Sequence, residues 1–216
     1  MSHNISFSTA DKHDVAAFIG NRDLTSEQQR LLRLMQERAW AQQDDLDRQG
    51  VDWGLPIPVA LDHLIAGRAD AEGRCAGNAY RTALQLVIDH NASDPDHLGT
   101  FSKPATFFSL LDEELQRLGV PAELLPYGFL YAGPPPEIPL SLPCSLDGYP
   151  EIGYLPLEKA GPAADAYTAV LDRLDPDFAY DLKVLIEKLR FEDENWREAS
   201  ARLDWYTQDT IFFSLT

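Results

Sequence analysis

The stretch Ile211-Phe212-Phe213-Ser214-Leu215, next to the C-terminus, indicates the fold class because Ile211, Phe213 and Leu215 recur at every second position, as on one face of a β-strand. Ile5-Ser6-Phe7, near the N-terminus, shows the same alternation over a shorter length. Most of the chain between them carries apolar residues at helical spacing instead. We therefore predict an α+β fold, rich in helix, with a small mixed or antiparallel sheet that involves the chain termini.

Capping residues mark where the helices begin and end. Asp11 is placed to cap a short first helix, and Thr25 with Gln28 forms a capping box for a long second helix that ends near Gly50. Gly residues and apolar spacing predict the remaining helices at about 59–66, 77–90, 104–118, 158–174 and 177–202.

The last of these helices starts with Asp175 as the cap and Pro176 in the first position, where both residues are favoured. Its apolar spacing is lost at Glu192-Asp193-Glu194. We expect the helix to be interrupted or bent there.

The region before that helix pair is rich in proline. Tyr127, Phe129 and Tyr131 alternate as in a strand, and prolines then recur from 133 to 150 with an irregular stretch that continues to Leu155. We interpret 133–150 as an ordered surface loop of a single domain that covers 1–216. The alternative is a division into two lobes at this segment.

The charge balance limits the classes of partner. The chain has 18 Lys and Arg against 35 Asp and Glu, which gives a net charge of −17. Such a surface repels nucleic acid and anionic membranes, so we expect neither as a partner and predict a basic protein instead. The first residues lack the pattern of a signal peptide, no apolar run is long enough to span a bilayer, and the two cysteines are widely separated, so we expect a cytoplasmic protein without a leader.

The search for catalytic groups leaves one candidate. Cys75 precedes a predicted helix and follows Arg74, an environment that favours a thiolate, and His63 or His90 would have to act as its base. The alternative is that Cys75 is an inert small apolar residue and that the histidines are ordinary surface or hydrogen-bonded residues. No histidine pair has metal-binding spacing, so we predict no metal and no cofactor.

The segment from Glu192 to Asp209 combines acidic residues with aromatic ones. Aromatic residues surrounded by charge are typical of binding hot spots, but they also anchor a terminal helix to a core. The candidate interface residues are Glu192, Asp193, Glu194, Trp196, Asp204 and Trp205.

The sequence also resembles a bacterial family of uncharacterised proteins, a domain of unknown function. The resemblance is carried by Gly77-Asn78-Ala79-Tyr80-Arg81-Thr82-Ala83-Leu84, by Pro150-Glu151-Ile152-Gly153-Tyr154-Leu155 and by Ile211-Phe212-Phe213, and covers most of residues 60–216. It implies a bacterial, cytoplasmic protein and supplies no activity, cofactor or catalytic residue.

Three functional hypotheses follow. The first is a non-enzymatic binding protein of the immunity or regulatory type that masks a basic partner. The second is an enzyme with Cys75 as its nucleophile. In the third, the acidity serves solubility alone and selects no partner.

Overall fold

The computed structural model describes residues 2–21 and 23–216 and confirms the α+β class. The strands are β1 (Ser2–Ala10), β2 (Asp96–Ser102), β3 (Glu151–Pro156) and β4 (Thr210–Leu215). The α-helices are α1 (Lys12–Ala16), α2 (Ser26–Gln49), α3 (Ile57–Ile65), α4 (Ala76–Asp89), α5 (Pro104–Arg117), α6 (Pro126–Leu130), α7 (Ala160–Val170) and α8 (Pro176–Arg202).

The chain forms two compact units, which we name by their content. The sheet unit comprises Met1–Ala10, Pro95–Pro134 and Ile152–Thr216, and the helical unit comprises Asp11–Asp94 and Pro135–Glu151. A single domain over 1–216 stays a prediction.

The four strands form one sheet with the strand order β2-β1-β4-β3. The strand β1 runs antiparallel to both of its neighbours, and Phe7 lies opposite Phe213 in β4 with ring centroids 6.1 Å apart. The strands nearest to both chain ends therefore lie side by side at the centre of the sheet, as the alternation of Ile5-Ser6-Phe7 and of 211–215 predicts. Every residue of β4 is buried.

The helix α8 packs against one side of the sheet, and its buried residues are Leu182, Leu185, Ile186 and Leu189. An interruption at Glu192-Asp193-Glu194 is wrong, because α8 is continuous from Pro176 to Arg202, whereas a bend at these residues stays a prediction. Ion pairs one turn apart, Arg197 with Asp193 and Arg202 with Glu198, support the helix where the apolar stripe ends.

The strand predicted from Tyr127, Phe129 and Tyr131 is also wrong, because these residues belong to or follow the short helix α6. Pro126 takes the first helical position, and the Asp112 carboxylate accepts a hydrogen bond from the Tyr127 N–H at 3.1 Å. The rings of Tyr127 and Tyr131 stack at 4.6 Å, the contact that helical i,i+4 spacing produces. A cap supplied from α5 thus prevails over the local alternation.

Two strands were not predicted. Ile152-Gly153-Tyr154-Leu155 lies within β3, so the irregular stretch ends before it. β2 escaped prediction because only Leu98 and Phe101 of its seven residues are buried apolar ones.

In the helical unit, the capping box of Thr25 and Gln28 is confirmed at the start of α2. The prolyl segment from Pro135 packs along α4. Asn78 accepts a hydrogen bond from the Leu146 N–H and donates one to the Tyr149 carbonyl, at 2.7 and 2.9 Å. Arg81 pairs with Glu151 at 3.0 Å and donates to the Pro143 carbonyl. Side chains of one helix therefore hold this segment at several points.

Candidate protein-interaction site

Five exposed side chains, each either aromatic or acidic, lie in the C-terminal part of α8 and directly after it. We name this set the outer face, and it comprises Phe191, Glu194, Glu198, Asp204 and Trp205. Trp205 is 74% exposed and Phe191 is 56% exposed, fractions that are high for aromatic residues.

The helical period explains why three of these residues share one side of α8. Positions 191, 194 and 198 are three and four apart, so they lie within about 60° of one another around the axis. The buried residues Leu185 and Leu189 lie on the opposite side of the helix, toward the sheet. Asp204 and Trp205 follow the end of the helix at Arg202 and are also exposed, so we include them in the same segment.

The structure does not bring all six predicted interface residues onto this face. Asp193 is 13% exposed at its side chain and accepts hydrogen bonds from Arg197 Nε to both carboxylate oxygens, each at 2.9 Å. A Cβ at Gly161 of α7 would lie 2.7 Å from Asp193 Oδ2. Asp193 is therefore part of the packing between α7 and α8, and Gly161 provides the space for it.

Glu192 belongs to a different group of charges, between α8 and β2. Lys188 forms an ion pair with Asp96, and hydrogen bonding to Lys188 holds the pKa of Asp96 below its usual value. Burial raises the pKa of Glu192, and the Asp96 charge raises it further, although Lys188 opposes both effects. Burial also raises the pKa of Tyr206, with a further contribution from Glu192. The Glu192 carboxylate is half-buried and is therefore poorly placed to contact a protein partner.

Trp196 is half-buried and lies about 140° around the axis from Phe191, on the same side of α8 as Leu189 seven residues before it. It lines an open groove of about 550 Å³ together with Glu158, Arg197, Ser200 and Ala201. Of the six predicted interface residues, Glu194, Asp204 and Trp205 thus lie on the outer face, Trp196 lies in this groove, and Glu192 and Asp193 contact other elements.

Phe191 and Glu198 of the outer face are not among the residues predicted from the sequence. Their signal is the spacing of 191, 194 and 198, which falls outside the apolar stripe of Leu182, Leu185 and Leu189. Glu158 in the groove is not predicted either, and no local pattern reveals it because it lies on a short turn before α7.

The helical unit contains the candidate catalytic residues, but not as an assembled group. Cys75 is the N-cap residue of α4 and is half-buried, whereas His90 is the C-cap of the same helix, about 22 Å away at 1.5 Å per residue. The Nδ1 atom of His90 donates to the Leu86 carbonyl at 2.8 Å. His90 therefore cannot serve as a base for Cys75 in the same chain.

His63 is engaged with Tyr80. Its Nδ1 lies 2.8 Å from the Tyr80 hydroxyl, which also accepts a hydrogen bond from the Ala71 N–H at 3.0 Å. Burial lowers the pKa of His63, Arg68 lowers it further, and Asp70 and Asp62 oppose both effects. A neutral His63 with its proton on Nε2 accepts a hydrogen bond from the Tyr80 hydroxyl at Nδ1. The structure describes no hydrogen bond from the Cys75 thiol to this ring.

Two further kinds of site were sought among residues 2–21 and 23–216. No group of three or more His, Cys, Asp or Glu side chains there could hold a metal ion. None of the helices described in that part of the chain combines the length and the apolar composition needed to cross a membrane.

The chain was compared with protein families, curated proteins and solved structures. No curated protein and no solved structure matches it. A family model, described as a domain of unknown function (DUF7691), matches residues 1–214 and therefore includes the N-terminal third that lay outside the expected resemblance. The chain belongs to the DUF7691 family.

Proposed function

We propose that this protein is a non-enzymatic binding protein whose outer face engages a basic protein partner. One observation carries the proposal: two exposed aromatic side chains, Phe191 and Trp205, belong to the same short segment as the exposed carboxylates of Glu194, Glu198 and Asp204, in a chain with a net charge of −17. Aromatic side chains supply the area that anchors an interface, and carboxylates select the sign of charge on the partner.

The charge distribution supports different roles for the acidic and the aromatic side chains of the outer face. The outer-face carboxylate of Glu198 is shared with Arg202, whereas the structure describes no ion pair for Glu194 or Asp204. Acidic side chains at the edge of an interface mainly accelerate association with a basic surface, and the buried aromatic anchors determine how long the complex lasts.

In this proposal the protein is of the immunity or regulatory type. It covers the basic surface of a bacterial protein in the cytoplasm and so prevents that surface from binding anything else. Both Cys75 and Cys144 are free thiols, a state that a reducing compartment maintains.

A displayed library of random peptides provides a test that needs no known partner. The full chain is used for selection at physiological salt, and selected peptides are then assayed against a chain with Phe191→Ser and Trp205→Ser. We expect the selected peptides to be enriched in Arg and Lys together with apolar residues, and to lose at least about tenfold in affinity for the variant.

A matched control is available in the helical unit. Trp40 is 58% exposed on α2, so Trp40→Ser removes a comparable aromatic residue far along the sequence from α8. Peptides that lack a basic excess, or that lose affinity equally with Trp40→Ser, would contradict the proposal. A selection that returns no binder would favour an acidity that serves solubility alone.

A further inference from the structure

The groove beside Trp196 offers a chemical environment different from that of the outer face. The residues that line it include Trp196, which is half-buried, and Glu158 and Ser200, which are exposed. Ala201 completes the lining with a side chain too small to fill it. An aromatic ring next to a carboxylate is the arrangement that binds an organic cation.

The cations already present in this region do not occupy that position. Arg197 also lines the groove, but its Nε donates to both oxygens of Asp193 one turn earlier in α8. Adjacent residues on a helix do not face each other, so Arg197 does not lie over the neighbouring Trp196 ring.

Arg190, on the same side of α8, is likewise occupied. Its guanidinium binds the hydroxyl of Thr168 at 3.0 Å and the carboxylate of Asp165 at 3.3 Å, both in α7. Because Arg197 is paired with Asp193, Glu158 is the remaining charged group among the residues that line the groove.

We propose that this groove binds one arginine side chain of the basic partner, with its guanidinium stacked on the Trp196 indole and paired with the Glu158 carboxylate. The proposal rests on the function proposed above and specifies the residue type that the partner must present. Arginine suits the site better than lysine, because a planar guanidinium stacks on a ring and binds a carboxylate through two parallel N–H bonds.

A capped tripeptide with a central arginine tests this on the full chain. The readout is the Trp196 indole N–H resonance, assigned from the spectrum of Trp196→Phe. We expect a saturable shift with the arginine peptide, a weaker one with the lysine peptide, and none with a peptide that contains citrulline, the neutral analogue of arginine.

Two substitutions address the two proposed contacts. Glu158→Gln should weaken the arginine peptide by about threefold, as expected for an exposed charge pair. Ala201→Leu should abolish the shift by filling the groove, and because Ala201 is exposed at the surface this change leaves the fold intact. Trp40→Leu is the matched control, since it removes an exposed tryptophan of the helical unit and should not affect the shift.

The outcomes separate this inference from the proposed function. Equal shifts with arginine and citrulline, or a shift that persists in Ala201→Leu, would overturn the arginine site while leaving the outer face untouched. Basic peptides that bind through Phe191 and Trp205 without shifting the Trp196 resonance would also overturn the arginine site and leave the outer face untouched. A shift with arginine alone that is lost in Ala201→Leu supports it.

Discussion

Asp193 of α8 lies so close to Gly161 of α7 that a Cβ on residue 161 would be 2.7 Å from Asp193 Oδ2. Asp193 in turn accepts two 2.9 Å hydrogen bonds from Nε of Arg197, which is one of the residues that line the groove. The close packing of α7 on α8 at Gly161 therefore places the carboxylate that pairs with Arg197.

The first prediction concerns this pair. Gly161→Ala should lower the free energy of unfolding by about 1–2 kcal/mol, because the added methyl group displaces a largely buried carboxylate. In an Asp193→Ala background the same change should be neutral or stabilising by up to about 1 kcal/mol, since alanine is the better helix former. Urea unfolding of the four chains measures the coupling, and additive effects would show that the two residues do not interact.

The second prediction concerns the loop held by α4. A Cβ at Gly77 would lie 2.1 Å from the Cys144 carbonyl oxygen, and backbone cannot move aside as a side-chain end can. We expect Gly77→Ala to cost at least about 2 kcal/mol and to make residues 135–150 more sensitive to limited proteolysis. Gly128→Ala is the control, because nothing lies within 4 Å of its added Cβ.

The third prediction is a pH dependence. Burial raises the pKa of Asp112 to about 6, although the N–H groups of Tyr127 and Gly128 oppose the shift. The folded state then holds this proton more tightly than the unfolded state does, so stability falls as pH rises from about 4 to 6 and the full penalty applies above that range.

Asp112→Asn removes the charge and keeps an oxygen that can accept the Tyr127 N–H. Above pH 7 we expect this variant to be more stable than the parent chain by about 1–2 kcal/mol, a value reduced for the half-exposed position of the group. The difference should vanish below pH 4. Urea unfolding across this range would refute the account if the two chains kept a constant difference.

The fourth prediction separates binding from stability on the outer face. Because Phe191 and Trp205 are exposed, replacing either with Ser should change the free energy of unfolding by less than about 0.5 kcal/mol. Thermal unfolding checks this directly. A loss well above that value would show that these residues anchor α8 to the core, which is the alternative role for aromatic residues in this segment.

The sequence indicates those parts of the fold whose cause is local. The alternation of Ile211, Phe213 and Leu215 marks β4, and the capping box of Thr25 and Gln28 marks the start of α2. It does not indicate β2, which pairs along β1 although it has few apolar residues, or α6, which is capped by Asp112 from another helix. Both depend on partners that lie far away in the sequence.

The same distinction between local and distant causes applies to the candidate site. The composition of 192–209 correctly identifies an acidic and aromatic segment, but it treats all of its carboxylates alike. Asp193 packs against Gly161 of α7, and Glu192 lies near the Lys188–Asp96 ion pair. The contacts with Gly161 and Asp96 form only when α7 and β2 pack against α8. Sequence reasoning can identify such a segment, but it cannot say which of its charges remain free.

The central claim is that the outer face, rather than the overall charge, selects a basic partner. Glu194→Gln, Glu198→Gln and Asp204→Asn remove three charges from that face, and Glu37→Gln, Asp44→Asn and Glu72→Gln remove three from exposed positions of the helical unit. Stopped-flow association of a selected basic peptide, measured over a range of salt concentrations, compares the two triple variants at equal net charge. The account predicts that only the outer-face variant associates several-fold more slowly, with a flatter dependence on salt. Equal slowing in both variants would contradict it.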